Sequence, residues 1–217
     1  MAEKLKKGLF ITFEGPEGCG KSTQSDRMAS DLKRDGYSVV YTREPGGTGL
    51  GMRIREILLE KESIALSDKA ELLLFEADRA QHVDEVIRPA LNAGKIVLCD
   101  RFNTATFAYQ GHGLGMDMEM IKDIDFMARG GVNPDLVIVL DVEVEVGLKR
   151  AAHKGGLDRM EKRGADFHRR VREGYLACSK KYPALVKVVG AARDKEAVYK
   201  DVREIVHDLL KKHTGTA

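Results

Sequence analysis

The chain has 217 residues, 43% of them hydrophobic and 32% charged, with 36 Lys and Arg against 34 Asp and Glu. A net charge of +2 gives no support for nucleic-acid binding, which calls for a marked basic excess, and no apolar run approaches the ~18 residues of a membrane span. Cys19, Cys99 and Cys178 are too scattered for a disulfide framework or a zinc site, so the expectation is one globular domain over residues 1–217 in a reducing cytoplasm.

The first predicted strand, GLFITF, runs straight into Gly15-x-x-x-x-Gly20-Lys21-Ser22. This spacing is the phosphate-binding loop pattern, in which backbone N–H groups turn inward as a nest for an anion. The stretch Gly15, Pro16, Glu17, Gly18, Cys19, Gly20, Lys21, Ser22 and Thr23 would then wrap a nucleoside triphosphate. Lys21 would reach its outer phosphates and Ser22 would bind Mg²⁺, with a helix starting near Gly20 aiming its dipole at the same charge. A plain glycine-rich turn is the alternative. Met28, Ala29 and Leu32 give the following helix its apolar face.

The second strand, YSVVYT, leads into TREPGGTG. Arg43, Glu44 and Pro45 fall at a strand end, where α/β sheets place ligand contacts, or else in a solvated turn. Arg55 by itself reads as an exposed helix arginine. A helix is expected from about Asp68, after a Ser67 cap, toward Leu91, with Pro89 kinking or ending it. Phe75 and Arg79 share one of its faces at i and i+4. A ring beside a guanidinium can hold a flat heterocycle, although Phe75 alone reads equally as core.

The third strand, KIVLCD, ends on Asp100 and Arg101. Asp100 there suits Mg²⁺ or its water, and Arg101 suits the charge of a transferring phosphoryl group; a structural ion pair is the alternative. QGHGLG, with His112, reads as a glycine-rich loop, and Met116, Met118 and Met120 as helix packing. After the fourth strand, LVIVLDV, the stretch Arg150 to Ala165 is basic, broken by glycine and poor in apolar residues. Its Arg150, Lys154, Arg159, Lys162 and Arg163 read as a mobile lid over a triphosphate or as a solvated face, with Asp158 and Glu161 as a capping box. LVKVV is the fifth strand, and Val198, Val202, Ile205 and Leu209 mark a last amphipathic helix. Alternating strands and helices predict an α/β fold in three layers, α/β/α, around a five-stranded parallel sheet.

Taken in order, EGPEGCGKST, TREPGGT, LLFEADRAQH, VLCDRF, TFAYQG, NPDLVIVLDV and LDRMEKR resemble the thymidylate kinase family, from about Gly8 to Leu210. The resemblance implies the P-loop nucleoside-monophosphate kinase fold, transfer of the γ-phosphate of ATP to dTMP in dTTP synthesis, Mg²⁺, and a homodimer. It places Glu17 near the 3′-hydroxyl of dTMP, Arg55 on its phosphate, and Arg101 between donor and acceptor phosphates. Phe75 would stack on thymine, Arg79 and Gln110 would read O4 and N3, and Tyr109 would crowd out a ribose 2′-hydroxyl beside Thr106. The phosphate loop has no basic residue besides Lys21, which points to the branch with its catalytic cation in the lid: Arg150, Lys154 or Arg159. Two positions depart from the pattern. Lys154 stands where an arginine is expected, and Gly190 where an aspartate precedes the adenine-contacting loop. Two other readings stay open, a kinase for another nucleoside monophosphate and a nucleotide-driven switch. A guanine switch would need Asn-Lys-x-Asp and Asp-x-x-Gly, and the sequence contains neither.

Overall fold

The structure, a computed structural model, describes residues 5–59, 65–153 and 159–214. Its five strands are the five expected ones: β1 Leu9–Glu14, β2 Val39–Arg43, β3 Ile96–Asp100, β4 Leu136–Asp141 and β5 Val186–Gly190. They form one sheet in the order β2-β3-β1-β4-β5, and every pair is parallel. The central place of β1 explains its unbroken apolar run. Leu9, Ile11 and Phe13 pack on one side against Met28, Leu32, Val198 and Val202. Phe10 packs on the other against Val97, Phe102, Val83 and Ile87. A strand buried on both faces has no polar face to alternate with.

The helices that position the site are α1 Lys21–Arg34, α2 Gly49–Leu59, α3 Asp68–His82, α4 Arg88–Asn92, α5 Asn103–Thr106, α6 Met118–Arg129, α7 Val144–Ala152, α8 Ala165–Lys181 and α9 Lys195–Thr214. Ser67 caps α3 as expected, its Oγ accepting from the Ala70 N–H. Two local expectations are corrected. Pro89 neither kinks nor ends the helix at itself. The widening comes earlier, as a π-helical turn over Val83–Ile87, and Pro89 then sits in the first turn of α4. Proline has no N–H for the usual i−4 bond, so a wider turn ahead of it costs little. The QGHGLG stretch is not a loop, because α5 continues as a second π-helical turn, Phe107–Gly113. The expected cap near Asp158 lies outside the described residues, and α8 takes Gly164 as its N-cap.

The last residue of β1 is a carboxylate in full burial. Glu14 Oε1 accepts the Phe102 N–H at 2.8 Å and Oε2 accepts the Tyr175 hydroxyl at 3.2 Å. Burial pushes Glu14 up to about 7, against the lowering pull of Arg101, the Phe102 amide and Lys21. The folded chain therefore holds this proton more tightly than the unfolded chain does. Stability from it is full below the ordinary value of 4.5 and is lost as pH rises through 7. Glu14→Gln keeps the acceptor for Phe102 and removes the titration. Urea unfolding at pH 5 and pH 8.5 should show the variant gaining on the parent at high pH, by up to about 3 kcal/mol. Parallel pH profiles for the two proteins would contradict this.

Candidate active site

The phosphate loop leaves the carboxyl end of β1 and enters α1 at Lys21. Gly18 is required by a close approach: a Cβ there would lie 2.0 Å from the Gly147 carbonyl oxygen of α7. Gly147 is bound by the same contact, since its own Cβ would meet the Glu17 carbonyl at 2.3 Å. Loop and helix thus pack backbone on backbone. Lys21 Nζ donates to the Gly15 and Pro16 carbonyls at 3.0 and 2.9 Å. Within the loop Gly15, Pro16 and Cys19 are buried, whereas Ser22 and Thr23 are exposed on the first turn of α1. Ser22 Oγ donates to Asp100 Oδ2 at 2.5 Å, which brings the two expected Mg²⁺ ligands together at the end of β3.

Arg101 follows, with a φ of 70°. A left-handed conformation is strained for a residue with a Cβ and persists only where the surroundings fix it. Here the Arg101 N–H donates to the Phe13 carbonyl at 2.9 Å and the next N–H goes to Glu14. The guanidinium is aimed back across the loop. Nη2 donates to Glu17 Oε1 at 2.8 Å, and Nη1 to the Tyr175 hydroxyl at 3.1 Å and the Gly15 carbonyl at 3.3 Å. Tyr109, whose ring centre lies 4.9 Å from the guanidinium, donates its hydroxyl to the same Glu17 oxygen at 2.5 Å. Burial by itself would raise Glu17, but Arg101, then Lys21 and the Tyr109 hydroxyl, hold it down at about 2.

On the far side of Arg101 lies a cavity of about 360 Å³, within the range of small-molecule sites. Arg55 borders it and donates from Nη1 to the Pro45 carbonyl at 2.9 Å. Phe75 is half-buried on its wall rather than in the core. Arg79 is 2% exposed and spends Nε on Glu44 at 3.0 Å and Nη1 on Glu76 and Thr106 at 2.5 and 3.0 Å, which leaves Nη2 outside these contacts. Glu44 is itself held by His82 Nδ1 at 2.9 Å, so it is a buried strut rather than part of a solvated turn. Gln110 closes the cavity from the second π-helical turn, its Nε2 donating to Glu71 Oε1 at 2.9 Å.

The structure thus gathers Glu17, Gly18, Gly20, Lys21, Ser22, Arg43, Glu44, Pro45, Arg55, Phe75, Arg79, Asp100, Arg101, Thr106, Tyr109 and Gln110 around one cavity. Two of the expected lid cations do not border it. Arg150 Nη1 donates to the Ala191 carbonyl at 2.9 Å, after β5. Arg159 donates from Nε to the Leu58 carbonyl at 2.8 Å and from Nη2 to Glu71 Oε2 at 2.7 Å. Lys154 lies outside the described residues. Sequence reasoning missed Glu14, Glu71, Gly147 and Tyr175. Only Glu71 left a usable signal: with Phe75 and Arg79 it makes an i, i+4, i+8 row on α3. Among the described residues no group of three or more His, Cys, Asp or Glu side chains is arranged for a metal. The Ser22–Asp100 oxygen pair nevertheless suits Mg²⁺, which takes one or two protein oxygens and completes its shell with phosphate and water.

Comparison with known proteins gives the family. The thymidylate kinase family model matches residues 13–202. A thymidylate kinase of Pseudomonas putida is 48% identical over 208 residues, covering 96% of this chain and 99% of its own. One from Pseudomonas syringae pv. tomato is 49% identical with the same coverage. The crystal structure of thymidylate kinase from Ehrlichia chaffeensis superposes with a TM-score of 0.77 at 33% identity, over 92% of this chain and 99% of its own. On the match of fold and nearly full-length sequence, the chain belongs to the thymidylate kinase family.

Proposed function

We propose that Lys21, Arg101 and a cation of the 150–165 lid carry the reaction of this family, transfer of the γ-phosphate of ATP to dTMP to give dTDP. The observation that supports this division of labour is the double attachment of Arg101. The N–H edge of its guanidinium binds the phosphate loop through Gly15 and Glu17, while the group lies over the Tyr109 ring on the side we assign to the acceptor. A cation so placed touches both anions and offsets their repulsion as charge spreads over the transferred group. The acceptor is already an anion and needs no strong base. Lys21 would leave the loop carbonyls for the β- and γ-phosphates. Ser22 and Asp100 would hold Mg²⁺, which when bound neutralises phosphate charge. Arg55 would take the dTMP phosphate and Phe75 the base. With Arg159 anchored on Glu71 and Arg150 on the Ala191 carbonyl, we assign these two to lid closure and the purine side.

A homodimer is part of the same proposal. Leu73 on α3 and Phe126 and Met127 on α6 are 54%, 65% and 75% exposed, on helices that pack together. Apolar side chains of this size at the surface favour a partner face. Cytoplasmic residence is supported by three free cysteines. Among the described residues, no helix is long and apolar enough to cross a membrane.

Steady-state kinetics test the role of Arg101. Arg101→Ala should lower kcat by about 10² or more while KM for ATP changes little, since the charge matters most in the transition state. A raised KM with unchanged kcat would make Arg101 a ground-state binder only.

Acceptor choice tests the base pocket. Arg79 only donates, which suits thymine O4 and opposes the cytosine amino group, and an accepting Gln110 oxygen suits the thymine N3–H. Such polar mismatch discriminates by ~10⁴ or more, whereas a missing methyl is worth roughly 10–200-fold. The kcat/KM order should be dTMP, then dUMP, with dCMP far behind. Equal use of dCMP and dTMP would mean that this assignment of the base pocket is wrong.

A further inference from the structure

The discrimination just described depends on which end of the Gln110 amide faces the cavity. An amide has one donating and one accepting end, and a flipped Gln110 would favour cytosine, whose N3 accepts. We propose that Glu71 is the specificity-determining residue that locks Gln110 with its oxygen toward the base. The proposal rests on the reading of the cavity as a thymine pocket.

Glu71 is fully buried, and its two oxygens have separate tasks. Oε2 accepts from Arg159 Nη2 at 2.7 Å and from Arg163 Nη2 at 2.8 Å. Oε1 faces Gln110, 2.9 Å away. A carboxylate gripped by two guanidiniums is an acceptor only. The Gln110 atom beside it therefore has to be Nε2, and Oε1 is the end left for the cavity that Gln110 borders. Reversing the amide would set two oxygens against each other in a buried site, where unmatched polar atoms are costly. The two arginines also stop the carboxylate from turning to follow the amide. The lid base thus fixes the chemistry of base reading without touching the base.

Glu71→Gln tests this sharply, because it inverts the lock rather than only removing it. The arginines still demand an acceptor, so the new side chain turns its oxygen to them and its Nε2 to Gln110. Gln110 must then accept from it and present its own Nε2 to the base. The expected result is a fall of about tenfold or more in the dTMP to dCMP ratio of kcat/KM, the scale of one mispaired buried hydrogen bond, with dCMP turnover rising in absolute terms. Damage to the lid or to folding lowers both substrates and cannot raise dCMP. Glu71→Ala, which frees the amide to turn toward either base, should lower the ratio by letting dCMP turnover rise relative to dTMP, and carries the test if the glutamine variant does not fold. Adding Glu71→Gln to Gln110→Ala should leave the ratio of the single Gln110 variant unchanged, since no amide remains to orient. If the parent itself fails to distinguish dTMP from dCMP, the thymine reading falls and the lock with it. If the parent distinguishes them and a folded Glu71 variant keeps the parent ratio, or the ratio still shifts without Gln110, the lock alone is overturned.

Discussion

One strained residue organises the site. Arg101 has to turn left-handed directly after β3, and two neighbours in the sheet make it do so: the Phe13 carbonyl takes its N–H, and Glu14 takes the next one. Both neighbours lie on β1, whose pairing with β3 runs from Leu9 opposite Ile96 to Phe13 opposite Asp100. The register of the two central strands therefore sets the direction of a side chain, and that side chain joins the phosphate loop to the wall of the cavity. Glu14 is costly to bury, as its raised affinity for a proton shows. Its burial is offset by the amide and the Tyr175 hydroxyl it holds, and by the nearby positive charge of Arg101 and Lys21.

The acceptor side follows a similar logic with the signs reversed. Arg79 is a fully buried cation, and burial alone would drive its proton off, but Glu76, Glu44 and Asp125 keep it charged. The acids outnumber it, and a further buried acid beside them shows the strain. Asp78 is pushed up to about 6 by burial and by Glu44, and it holds the Gly46 N–H at 3.0 Å in the turn after β2. Buried pairs of this kind contribute little net stability, yet they fix geometry. What they fix here is a guanidinium with one nitrogen to spare and a turn that carries Pro45 to Arg55. The Arg79 guanidinium is therefore oriented in advance, which would spare the ordering cost on binding a ligand in the cavity.

The layers of the fold were legible in the sequence because each strand is a short apolar run, although burial on both faces holds for β1, β3 and β4 and not for the edge strands β2 and β5, which are partly exposed. The phosphate loop was legible because its glycines, lysine and serine are individually required. Strand-end residues such as Glu44, Asp100 and Arg101 could be placed in the cleft but not assigned partners, and for Glu44 the solvated turn proved wrong. What stayed hidden depends on contacts far apart in sequence. Tyr175 reaches Glu14 across 161 positions and Arg159 reaches Glu71 across 88. The π-helical turns were hidden as well, since a one-residue widening leaves the apolar spacing almost unchanged. The second of them carries Tyr109 and Gln110, consistent with the tendency of such turns to occur at functional sites.

The claim that β1 aims Arg101 is open to direct measurement. In a single-turnover experiment, ATP and dTMP are mixed with excess enzyme and the rate of phosphoryl transfer is read before product release. Glu14→Ala removes the acceptor that holds the turn, and Glu14→Gln keeps it. The structure predicts that the alanine variant, folded at the working temperature, loses about tenfold or more in transfer rate with dTMP affinity nearly unchanged, while the glutamine variant stays within a few-fold of the parent. A folded alanine variant that transfers phosphate at the parental rate would show that Arg101 finds its place without Glu14.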